Sequence, residues 1–332
     1  MSDTEKVIVY TDLLGFSNLV LRNIEEARNL LSRFYHLAQS TKLDGGFDTV
    51  ELFLFSDFLF VQGTDITEVV NYTCSLYRHC LISSEEHIGA PILPRGGVAR
   101  GSVVIQKRRE APQVTKNFVI STALVHAVHM EKLIKGQRLL ISANEREELS
   151  HFWNKELSAI TYDQPSIKPP KAFKRYRYQD LLWARDLRKN IQEARVETAS
   201  LIRTAAKLYR EHSKNKAIAN HYAETLRVCL LSYSSLLQPL EKDRYLLSIL
   251  VAETLIPYPS AIVWLGFLEM VFLSKDAQAF QMDPSVLKFI RFAFLHPLWG
   301  NICATLSLKE HSQLFYNIRE LIEVNIRIDA AN

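Results

Sequence analysis

Four cysteines among 332 residues are too few for a disulfide scaffold, and Cys74, Cys80, Cys229 and Cys303 lack the CxxC spacing of zinc or redox sites. A reducing cytoplasm suits that usage. Long apolar runs are missing too: the most apolar stretch, 261–273, contains Glu269 and falls well short of the ~20 residues that cross a bilayer. No membrane span is expected, and the polar, acidic start over 1–6 has neither the basic flank nor the apolar centre of a secretion signal. Charge of one sign is equally scarce, since 40 Lys and Arg stand against 36 Asp and Glu for a net +4. That excludes nucleic-acid or membrane binding through bulk charge, so any polyanion must be gripped locally.

What is present is ordinary for a folded protein. Apolar residues make up 48% and charged residues 23%, and the length corresponds to about two domains. Glycine divides the chain, with nine of the eleven before residue 140. Between the halves, 162–178 holds Pro165, Pro169 and Pro170, then Lys171, Lys174, Arg175 and Arg177. This composition suits an extended connector, so the boundary is expected near 168, with a helical domain over 168–332. The basic run fits a solvated linker or contact with a phosphate-bearing partner.

In the first half, Val7, Ile8, Val9 and Tyr10 predict a strand over 6–12. Ser17 is the expected cap of a helix over 18–39. Strands over 49–55 and 58–62 read as a hairpin turning at Ser56 and Asp57, followed by a helix over 67–82. A glycine-containing strand over 95–106, a helix over 122–135 and a short strand over 138–142 complete the order β, α, β, β, α, β, α, β. That order predicts an α+β fold, a ferredoxin-like sheet with helices on one face. The second half predicts helices over 178–210, 217–237, 243–255, 260–273, 284–294 and 312–325.

Two carboxylates raise the chemical question. Asp12 ends the first strand, and Asp57 sits in the turn of a hairpin that this topology places beside it. Carboxylates at adjacent strand ends are hard oxygen ligands suited to Mg²⁺ or Mn²⁺, although an Asp at a strand end is also a common turn residue. After Asp12, the run Leu13-Leu14-Gly15-Phe16-Ser17 leads into a helix start that attracts phosphate.

Four segments, in order, carry a resemblance: Tyr10-Thr11-Asp12-Leu13-Leu14-Gly15-Phe16-Ser17, Phe55-Ser56-Asp57-Phe58-Leu59-Phe60, Arg95-Gly96-Gly97-Val98-Ala99-Arg100-Gly101, and Ala123 through Glu131. Over roughly 5–142 the chain resembles the catalytic domain of class III nucleotide cyclases. It is most similar to the bacterial pyrimidine cyclases of Pycsar anti-phage systems, with Ser56 where the family usually has glycine. The resemblance makes 1–167 the cyclase catalytic domain, and makes the helical domain a candidate for dimerisation or sensing. It implies two divalent ions, Mn²⁺ or Mg²⁺, on Asp12, Asp57 and the Leu13 carbonyl, with Gly15, Phe16 and Ser17 lining the triphosphate. The implied reaction closes a 3′,5′-cyclic monophosphate from UTP or CTP and releases pyrophosphate, giving a second messenger for anti-phage defence. A homodimer is implied because class III sites form between two catalytic domains.

Departures from the family are equally readable. The Asn and Arg that steady ribose and transition state fall at Val125 and His129. A protonated His129 can supply part of that charge, or can be a plain helix-surface or core histidine. Arg95 and Arg100 point to opposite faces of their strand, so only one reaches the site; Arg95 is the expected one, with an ordinary exposed arginine as the alternative. The purine-selecting Lys and acid fall at Phe53 and near Phe118, and Phe53 suits stacking of a pyrimidine or simple core packing. UTP is expected over CTP. A cyclase-like nucleotide-binding regulator and a helical adaptor are the alternative functions.

Overall fold

Strand β1 (Thr4–Leu13) carries Val7, Ile8 and Val9, all fully buried, so both faces of the sheet around it must be covered. The structure, a computed structural model, describes residues 4–86, 89–111, 114–133, 135–142, 157–163, 177–186, 188–234 and 236. After β1 come α1 (Phe16–Arg22), α2 (Ile24–Gly45), β2 (Glu51–Phe55), β3 (Phe58–Gly63), α3 (Ile66–Glu86), β4 (Pro94–Ala111), β5 (Val114–Ser121) and α4 (Thr122–Lys132). Next follow β6 (Leu139–Ser142), β7 (Leu157–Asp163), β8 (Arg177–Leu181), α5 (Ile191–His212) and α6 (Lys216–Ser234). The strands form one mixed eight-stranded sheet in the order β2-β3-β1-β4-β6-β8-β7, with β5 against the far half of β4. β1 is antiparallel to β3 and β4, and β6 is parallel to β4.

The fold is α+β, but helices cover both faces rather than one. α2 and α3 close over Val7, Val9, Leu59 and Val98, whereas α4 closes over Ile8, Phe60 and Ala99. Adjacent glycines of β4 explain how both helices come so near. A Cβ on Gly96 would lie 2.9 Å from the Tyr77 hydroxyl of α3, and one on Gly97 would lie 2.6 Å from the Ala127 carbonyl of α4. Only residues without a Cβ admit both approaches.

The single helix expected over 18–39 is two helices. Asn23, extended at φ −156°, ends α1 and caps α2 by accepting the Glu26 N–H at 3.2 Å. Ser17 caps nothing: α1 starts from Gly15, left-handed at φ 76°, with no side-chain cap.

Phe55 and Phe58 pair across the tight turn that carries Asp57. Ser56, the first turn residue, sits at φ 47°, the position at which a type II′ turn takes glycine. A left-handed backbone costs a residue with a Cβ about 1–2 kcal/mol. Ser56→Gly is therefore expected to stabilise the protein by up to about 1 kcal/mol, after allowing for glycine's larger entropy loss on folding. The bond from the Tyr35 hydroxyl to the Ser56 carbonyl (2.9 Å) survives that change. Thermal unfolding tests it: a lower melting temperature would show that the turn is not strained.

Residues 178–181, expected to open a helix over 178–210, instead belong to strand β8, which pairs Leu140 with Asp180 and Ile141 with Gln179. The helix begins only at α5, where Asn190 accepts the Glu193 N–H at 3.0 Å. Asp180 supplies the reason. It is fully buried, accepting two bonds from Arg138 (2.7 and 2.8 Å) and one from Arg227 of α6 (2.9 Å). The sheet thus takes strands from both sides of the connector expected near 168. Helix α6 also holds the turn before β6, where Gly136 N–H donates to His221 Nδ1 (3.0 Å) and Gln137 N–H to Thr225 Oγ1 (2.9 Å). The helices expected over 243–255, 260–273, 284–294 and 312–325 lie outside the described residues. Among the described residues, no helix is long and apolar enough to cross a membrane.

Candidate active site

Residues directly opposite one another on neighbouring strands share a sheet face. Two such rows define the site. One runs Phe55, Phe58, Asp12, Arg95, and the next runs Phe53, Phe60, Tyr10, Gly97. Both lie on the α4 face. The first row ends beside the hairpin turn, where Leu13 N–H donates to the Asp57 carbonyl at 3.0 Å. In a strand the N–H and C=O of one residue leave on the same side, so the Leu13 carbonyl also faces the turn that carries Asp57.

Charge gathers at this strand end. The Asp12 side chain is 23% exposed, and Arg95 Nη2 lies 3.6 Å from its Oδ2. Arg95 Nε lies closer, at 2.5 Å, to Oε1 of Glu131, a buried acid in the last turn of α4. Burial, then the neighbouring charges of Glu131 and Asp57, push the Asp12 carboxyl up to about 6, against the opposing pull of Arg95. Burial, then Asp12, Glu131 and Asp57, raise the Tyr10 phenol to about 12. Asp12 and Asp57, far apart in sequence, are therefore electrostatic neighbours.

Side-chain hydroxyls also tie the two central strands under this cluster. The Thr11 hydroxyl donates to the Arg95 carbonyl (2.9 Å) and shares a bond with the buried Tyr77 hydroxyl (2.7 Å). Arg100, by contrast, pairs with Glu5 at 3.2 Å, away from the cluster. Phe53 packs on Phe60 with ring centroids 5.3 Å apart, at the margin of the core beneath α4. Gly15 and Ser17 are exposed and Phe16 half-buried in the turn that opens α1. The Phe118 side chain lies outside the described residues.

Helix α4 presents Ala123, Ala127, Met130 and Glu131 to the sheet. His129 is half-buried off that stripe, near enough to His126 to lower its pKa after the larger effect of burial, and Val125 is exposed. The helix thus sends Glu131, rather than His129, into the carboxylate cluster. Glu131 is the site residue that the sequence reading missed. A signal was present: an acid in the last turn of a helix opposes the helix dipole and needs a tertiary reason.

The donors fit a hard divalent ion. The Asp12 strand end and the turn that carries Asp57 adjoin through the Leu13 N–H bond, and repulsion among neighbouring acids is what a cation relieves. Among the described residues no three His, Cys, Asp or Glu side chains are grouped to hold a metal. The protein's side-chain share would be Asp12 and Asp57 alone, leaving room for water or substrate oxygens.

No family model matches the chain, and no curated protein matches it in sequence. Solved structures similar to it include the adenylyl cyclase CyaB from P. aeruginosa, at 14% identity and TM-score 0.42, covering 54% of this chain and 94% of that one. The guanylyl cyclase Cya2 matches at 14% identity and TM-score 0.45, over 55% of this chain and 93% of that one. The guanylate cyclase domain of RhGC from Catenaria anguillulae, in complex with GTP, matches at 13% identity and TM-score 0.42, over 53% and 95%. At such identities and scores these likenesses say nothing of which residues act.

Proposed function

We propose that the chain is a nucleotide cyclase of the class III type, acting as a homodimer in the cytoplasm. It converts UTP, and less readily CTP, to the 3′,5′-cyclic monophosphate, a second messenger for anti-phage defence. The observation that supports this reading is that the strand end carrying Asp12 and Leu13 is bonded to the turn that carries Asp57. In the reaction the ribose 3′-oxygen attacks the α-phosphorus, the bond to the pyrophosphate oxygen breaks, and the 3′-hydroxyl proton is released. Divalent ions bound to such donors supply Lewis-acid stabilisation of phosphate charge and ease loss of the hydroxyl proton.

The protein's own residues hold and orient. Asp12 and Asp57 fix the anchoring point against rigid strands, because β1 is paired on both edges. The turn over Gly15, Phe16 and Ser17 offers backbone N–H groups to the triphosphate. Arg95 stands beside the carboxylates as a cation within reach of phosphate oxygens. Phe53 contributes an aromatic surface on the same sheet face, suited to a pyrimidine ring.

Incubating the purified protein with ATP, GTP, CTP and UTP, each with Mn²⁺, tests this. Cyclic UMP or CMP together with pyrophosphate is the expected product. Cyclic product from ATP or GTP alone would overturn the pyrimidine assignment. A second reading, binding of metal and nucleotide without turnover, draws on the ion pairs that engage Arg95 and on the place of His129 off the buried stripe of α4. Nucleotide binding with no product from any triphosphate is its outcome.

A further inference from the structure

We propose that Glu131 is a positioning residue: it draws the Arg95 guanidinium to itself and so leaves the Asp12 carboxylate open to a divalent cation. This rests on the metal site of the proposed function. Arg95 lies between two acids and is shared unequally, its Nε 2.5 Å from Glu131 Oε1 and its Nη2 3.6 Å from Asp12 Oδ2. Glu131 is the drier of the two, its side chain 5% exposed against 23% for Asp12. Charges attract more strongly where water is excluded, so the guanidinium is held on the α4 side.

The placement of Glu131 is built into the fold. Without a Cβ on Gly97, the Ala127 and Met130 turn of α4 rests directly on β4, bringing the end of the helix over Arg95. The backbones of Arg95 and Asp12 are opposite one another in the ladder, tied by the Thr11 hydroxyl to the Arg95 carbonyl. The ladder fixes the backbone of Arg95 but not its guanidinium, and Glu131 biases which of the two acids the guanidinium approaches. Once Glu131 is neutral, Asp12 becomes the stronger partner, and an arginine bound there competes with any metal for the same oxygens.

The test is Mn²⁺ binding to the nucleotide-free full chain, followed by electron paramagnetic resonance, for wild type, Glu131→Gln, Arg95→Met and the double variant. Glu131→Gln is expected to weaken Mn²⁺ binding about tenfold or more. Arg95→Met is expected to change affinity by no more than about threefold alone, but to restore about tenfold in the Glu131→Gln background, a coupling that a double-mutant cycle isolates. Equal factors in the two backgrounds would mean that the charges act independently and Glu131 positions nothing. The double variant replaces a partly buried ion pair by neutral side chains, a change that many proteins tolerate, so the comparison survives if Glu131→Gln alone is poorly folded: rescue must appear as both recovered near-ultraviolet dichroism and recovered affinity. Absence of Mn²⁺ binding by wild type overturns both this inference and the metal site beneath it. Normal wild-type binding that Glu131→Gln does not weaken overturns this inference alone.

Discussion

Asp57→Ala is expected to lower cyclic-nucleotide formation by about 10³ or more while leaving the fold intact. The hairpin keeps its contact with β1 through the residue 57 carbonyl, which accepts from Leu13 N–H whatever the side chain. What is lost is one of two side-chain carboxylates at the strand end. Metal-borne stabilisation of transition-state charge amounts to several kcal/mol, and each 1.36 kcal/mol is about tenfold in rate, which sets the expected scale. Chromatographic measurement of product at saturating Mn²⁺, beside a melting curve, separates chemistry from folding. More than about a tenth of wild-type activity in a normally melting variant would remove Asp57 from the proposed machinery.

Asp180→Ala is expected to cost about 3–5 kcal/mol of stability, because it removes a fully buried carboxylate that two buried guanidiniums share. Arg138 and Arg227 are almost wholly buried around a fully buried Asp180, and Glu224, 2.9 Å from Arg227 and 3.5 Å from Arg138, is a more exposed acid of the same network. Acidity gives a second handle. Burial pushes the Asp180 carboxyl up, but Arg138 and Arg227 outweigh it and hold the carboxyl below its ordinary value. A carboxyl lowered in the folded state contributes stability that is present above its unfolded value of about 4 and is lost as pH falls through the lower native value. Urea midpoints of the wild type should therefore fall below about pH 4 through this group, and that part of the fall should vanish in Asp180→Ala. A midpoint at pH 7 that Asp180→Ala leaves unchanged would mean that the network is not holding β8 and α6 to the sheet.

The parts of the fold legible in sequence are those with local causes. Val7, Ile8 and Val9 announced β1, the tight turn at Ser56 and Asp57 announced the hairpin, and the Asp12 and Asp57 carboxylates stood out by residue type and placement. Ser17 misled because glycine at an N-cap costs little against serine, so Gly15 starts the helix two residues earlier. Asn23 breaks the first helix through an Asn-Ile-Glu-Glu cap that a continuous apolar face concealed. The face on which α4 packs, the strand around Asp180 and the role of Glu131 depend on partners 36 to 47 residues away or more. No local pattern reports such distances. Gly97 was visible as a glycine, but that it makes room for Ala127 and Met130 follows only once the helix is laid on the strand.

The place of β8 has a practical outcome for dissecting the molecule. A fragment ending at the proline-rich connector would retain β6 yet lose its antiparallel neighbour, leaving a row of bare amides and carbonyls along Leu140, Ile141 and Ser142 and taking Asp180 away from Arg138. Exposed strand edges of that kind recruit other chains indiscriminately. Self-association of an excised N-terminal half would then report a raw edge seeking cover, and stoichiometry is best measured on polypeptides that keep everything through α6.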